Sequence, residues 1–102
     1  MELNEYQEKA MSFALPTAKT APYMLLGLSS EVGELHSLFA KFERDGKIDF
    51  EFVKKETGDV LWFVAGVANH FGFKLDDIAQ MNIDKLESRK QRNTIQGSGD
   101  NR

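Results

Sequence analysis

Residues 25–42 read LLGLSSEVGELHSLFAKF, and their apolar seam falls at Leu25, Leu28, Val32, Leu35, Phe39 and Phe42. The intervals 3, 4, 3, 4, 3 gather all six on one side of an α-helix. A second seam, Val53, Thr57, Val60, Val64, Val67 and Phe71, repeats the pattern at 4, 3, 4, 3, 4. Between the two, Arg44-Asp45-Gly46-Lys47 is a turn, and Asp49 is placed to cap the helix that follows. The spacing therefore predicts a helix opened by Pro22 and ending near Phe42, and another from Asp49 to about His70.

Outward from this pair, a first helix is expected over Asn4–Ala14, with Asn4 as its cap and Pro16 as its stop. Gly72 marks a break, and a fourth helix should run from Leu75 to Arg92. Its acidic first turn, Asp76 and Asp77, and its basic last turn suit the helix dipole. No segment alternates like a strand. The expected fold is all-α, a compact bundle of about four helices, with residues 1–95 as one domain. Residues 96–102, QGSGDNR, are polar and glycine-rich and are expected to form a flexible tail.

The chain has 102 residues, 41% hydrophobic and 28% charged, with net charge −3. That length makes one domain, whose small core would gain from a bound metal or a second subunit. The absence of cysteine excludes disulfides, thiolate metal sites and cysteine nucleophiles. A negative net charge disfavours a nucleic-acid partner. No run of apolar residues is long enough for a membrane span, and MELNEYQEKA does not read as a signal peptide. The expected location is cytoplasmic.

Chemistry concentrates in two acidic-x-Gly-acidic motifs, Glu31-Val32-Gly33-Glu34 and Glu56-Thr57-Gly58-Asp59. Carboxylates three residues apart share a helix face. Every one of the four lies one position before a seam residue, so packing the seams together would bring both pairs to the same rim. One such pair alone reads as a solvated helix face. Two in the same phase imply a carboxylate cluster that is unfavourable without a counter-charge. A hard divalent cation, Mg²⁺ above all, resolves the repulsion and can bridge to phosphates. Gly33 and Gly58, inside helices where glycine costs about 1 kcal/mol, suggest close approach of a facing helix or a ligand.

On the fourth helix Asn82, Lys85 and Arg89 share a face and are suited to phosphate oxygens. Taken alone, they read as a basic helix end serving the dipole. An EF-hand register on Gly46 fails, because its first and last ligand positions would be Lys41 and Phe52. A di-iron site needs Glu-x-x-His, which neither His36 nor His70 completes. Tyr23, Trp62 and Phe63 read as core or subunit interface in preference to a nucleobase platform.

The ordered set Glu31-x-x-Glu34, 21 intervening residues, Glu56-x-x-Asp59, then Asn82-x-x-Lys85-Leu86-x-x-Arg89 resembles the MazG-like nucleoside triphosphate pyrophosphohydrolases. The ending from Asn93 to Arg102 is similar to short single-domain members, including phage-encoded ones. Ser30 departs from the pair of adjacent glutamates that begins the motif in many members. The resemblance implies hydrolysis of an NTP or dNTP to monophosphate and pyrophosphate by water attack at the α-phosphorus. It implies that Glu31, Glu34, Glu56 and Asp59 hold Mg²⁺, with Mn²⁺ as a substitute, and that Glu31 or Glu34 accepts the proton of water. It further implies phosphate binding by Asn82, Lys85 and Arg89, a lid-like tail, and a homo-oligomer, dimer or tetramer. The residues that bind the base are not legible. A non-catalytic nucleotide-binding module on the same scaffold, or a structural adaptor, are the competing readings.

Overall fold

The computed structural model describes residues 1–102 and contains four α-helices and no strand. They are α1 (Leu3–Met11), α2 (Ala21–Asp45), α3 (Phe50–His70) and α4 (Leu75–Gln91), with one 3₁₀ turn at Pro16–Ala18. The all-α bundle expected from periodicity is the one observed. No helix is long and apolar enough to cross a membrane.

Helix boundaries follow local chemistry. Thr20 accepts from the Tyr23 N–H at 3.2 Å, and Pro22 lies in the first turn of α2. Gly46, at φ 71°, closes α2 in the left-handed conformation. Asp49 then caps α3 by accepting from the Glu51 N–H at 2.9 Å. Four residues thus join α2 and α3 into an antiparallel hairpin, in which Met24 faces Gly66 and Gly27 faces Phe63.

Three expectations need correction here. Asn4 is not the cap of α1; it lies inside that helix and accepts instead from the Asp76 N–H at 3.0 Å. α1 stops at Met11, and α2 runs three residues past Phe42. The close helix approach is at Gly27 and Gly66, where a Cβ would overlap the Phe63 ring and the Met24 thioether. A Cβ on Gly33 or Gly58 would meet nothing within 4 Å, and both positions are exposed.

α3 is the central element. One flank meets α2, and the other meets α1 through a core of Ala10, Met11, Met24, Ala65, Ala68 and Leu75. Trp62 packs against that core and donates its indole N–H to the Ala10 carbonyl at 3.0 Å. α4 is held chiefly by α1. The half-buried side chain of Asn4 and the buried one of Gln7 cap its start, Gln7 bridging the Phe73 carbonyl (2.9 Å) and the Leu75 N–H (3.0 Å). Much apolar surface stays open: Leu25, Leu26, Phe39 and Phe42 of α2 are all exposed, Leu26 by 72%.

Candidate active site

Antiparallel pairing of α2 and α3 continues from Met24/Gly66 and Gly27/Phe63 to Glu31 against Glu56 and Asp59. One carboxylate oxygen from each of these three acids lies within 4.8 Å of the others. Glu31 and Glu56 are half-buried and Asp59 is exposed. Burial, foremost, raises the Glu31 carboxyl above its ordinary value of 4.5, followed by the Asp59 charge. Its hydrogen bond with Glu56 and the charges of Glu56 and Glu34 push the same way. Carboxylates this close repel one another, so the cluster favours retaining a proton or taking a cation.

Glu34 lies outside the close trio and is exposed, one turn along α2, near enough for its charge to act on Glu31. The four acids of the two motifs therefore share one rim, three in close apposition and one flanking. α1 adds a group that the motifs did not suggest. The Tyr6 phenol, packed beside the core, is raised by burial and by the Asp59 charge. Nothing in the spacing of α1 marks Tyr6, because its relation to Asp59 arises only when α1 crosses α3.

The basic set sits elsewhere on the chain. Asn82 and Lys85 line a cavity of about 720 Å³ together with Phe73, Lys74, Ile78 and Met81. Lys85 Nζ is 2.8 Å from Asp100 Oδ1. Arg89 is turned inward: its side chain is 8% exposed, and Nη2 donates to the Asp100 carbonyl at 2.6 Å and to Oδ1 at 3.2 Å. In this arrangement Arg89 is closed to an incoming phosphate, while Asn82 and Lys85 are open to one. The bond and charge of Lys85, ahead of those of Arg89, hold the Asp100 carboxyl below its ordinary range. No hydrogen bond or ion pair joins the basic set to the acid cluster.

A model of the MazG nucleotide pyrophosphohydrolase domain matches residues 19–93. The chain belongs to the MazG family. The match spans both acid motifs and the basic face of α4, and leaves Tyr6 and Asp100 outside it. Gene 37 protein of Mycobacterium phage L5 is 44% identical over 85 residues, covering 78% of this chain and 75% of that protein. No solved structure matches the chain. As a MazG domain, the bundle carries the trio on its central hairpin, where α3 is braced from both sides.

Proposed function

We propose that this MazG domain hydrolyses a nucleoside triphosphate, NTP or dNTP, to the monophosphate and pyrophosphate. The apposition of Glu31, Glu56 and Asp59 across the α2–α3 hairpin carries this reading. Their oxygen donors fit a hard divalent ion, Mg²⁺ or Mn²⁺ in its place, and Glu31 is raised first by burial and then by the acidic neighbours whose charge such an ion would neutralise. Glu34 completes the set from its flanking position. When bound, the ion supplies Lewis-acid polarisation of a phosphate and a more acidic water.

The chain's own residues account for the remainder. Glu31, at the meeting point of the two motifs, is one candidate for accepting the proton of water. Glu34, more exposed, is the other candidate for that role. Asn82 and Lys85 offer N–H donors to phosphate oxygens from the α4 cavity. Arg89 serves the same face at one remove, through Asp100. Uncovered Leu25, Leu26, Phe39 and Phe42 favour a homo-oligomer, which would also offer a route for bringing α4 of one copy toward the acids of another.

The test is a panel of NTPs and dNTPs scored for monophosphate, pyrophosphate and binding, with and without Mg²⁺. Release should require the metal, and Glu34→Gln or Asp59→Asn should abolish it while helical content is retained. Full activity in both variants would remove the acids from the mechanism. Binding without release across the panel would favour the non-catalytic module.

A further inference from the structure

We propose that residues 94–102 form a fixed clasp in which Asp100 is a positioning residue, setting the Lys85 ammonium for a phosphate chain. The inference rests on the triphosphate reading above and adds to it a residue outside the family match.

The segment is tied to itself and to α4. The Arg102 guanidinium donates to three carbonyls, those of Thr94 (3.0 Å), Ile95 (2.9 Å) and Gly99 (2.7 Å). Arg92 in turn donates to the Arg102 carbonyl at 2.9 Å. Asn93 at φ 56° and Gly99 at φ 85° reverse the chain in the left-handed region, which asparagine and glycine tolerate best. The result is a closed loop that brings Asp100 back onto the face of α4 bearing Lys85 and Arg89.

Each end of that contact has a distinct task. Arg89 is the anchor: its buried guanidinium holds the Asp100 backbone and carboxylate. Asp100 Oδ1 then accepts one Lys85 hydrogen, which leaves two N–H donors at the cavity that Asn82 also lines. A free lysine has a long flexible stem and would lose that freedom on gripping a phosphate. Here the carboxylate has already confined it. Displacement of the loop by an incoming phosphate is disfavoured, because it would strand a buried guanidinium whose Nε already has no partner.

The experiment uses the full chain with Mg²⁺ and inorganic pyrophosphate as the probe, followed by KM and kcat for whichever nucleotide the panel turns over. Asp100→Asn should raise the pyrophosphate Kd and the nucleotide KM about tenfold, with kcat within about twofold. Asp100→Glu should recover most of the loss. In a Lys85→Gln background Asp100→Asn should add less than about twofold, because its effect runs through Lys85. Should Asp100→Asn lose its fold, the smaller effect of Asp100→Glu must likewise vanish in that background. Unchanged or tighter binding by Asp100→Asn, the mark of a carboxylate competing with phosphate, overturns the proposal. So does full additivity with Lys85→Gln. A parent chain that neither binds pyrophosphate nor releases it overturns the triphosphate reading itself.

Discussion

At the scale of single residues, the charge cluster on the hairpin has a measurable signature. The Glu31 carboxyl is raised by burial and by neighbouring acids, so the folded chain binds its proton more tightly than the unfolded one. The stability this contributes is present at low pH and is lost as pH climbs from 4.5 through the raised value. Melting of the metal-free chain should therefore fall over that interval, and Glu31→Gln should flatten the fall. Melting that does not change with pH there would contradict the cluster. Mg²⁺ at 100 times its dissociation constant should add about 2.7 kcal/mol, and Asp59→Asn should remove most of that gain. The approach of Glu31 to Glu56 and Asp59 was legible because i,i+3 spacing fixes a face and seam phase fixes a rim. Tyr6 and Asp100 were not legible, since a helix crossing and a chain reversal bring them in, and neither leaves a periodic trace.

Among the elements, the hairpin shows where pattern succeeds and where it falls short. The seams and the caps at Thr20, Gly46 and Asp49 make α2 and α3, and short-range rules suffice for them. Which glycines lie at the contact depends on where two rods cross, and the crossing is centred nearer Gly27 and Gly66 than Gly33 and Gly58. Gly27→Ala should cost about 1–3 kcal/mol by crowding the Phe63 ring, read as a lower melting midpoint. Gly33→Ala and Gly58→Ala should each stabilise the isolated chain by up to about 1 kcal/mol. If activity falls in those two while stability rises, a nucleotide or another copy approaches the backbone there. Activity that survives would show that the space beside them is simply solvent.

For the molecule as a whole, surface is the informative quantity. The chain exposes 7696 Å², whereas a folded monomer of 11.6 kDa exposes roughly 5,800 Å². Its radius of gyration is 16.4 Å, above the ~13 Å usual near 100 residues. An excess of about 1,900 Å² exceeds the ~800 Å² that a stable interface takes from each partner. Sedimentation at tens of micromolar should give a multiple of the chain mass, and Leu26→Asp should lower it. A monomer under those conditions would leave the apolar face of α2 unexplained. The open apolar face of α2 was not legible, because sequence does not tell which seam residues the monomer leaves uncovered.

The Gln7 clip gives the N-terminal segment more importance than its nine-residue helix suggests. α4 touches the hairpin little and hangs from α1 by the side-chain amide of Gln7 and the side-chain Oδ1 of Asn4. Replacing Gln7 and Asn4 by alanine would loosen the lysine-bearing rod while α1 kept its packing on α3 and the acids on the hairpin kept their places. Such a chain should still respond to magnesium yet grip polyphosphate poorly, so two functions would part company at a hinge that neither of them occupies.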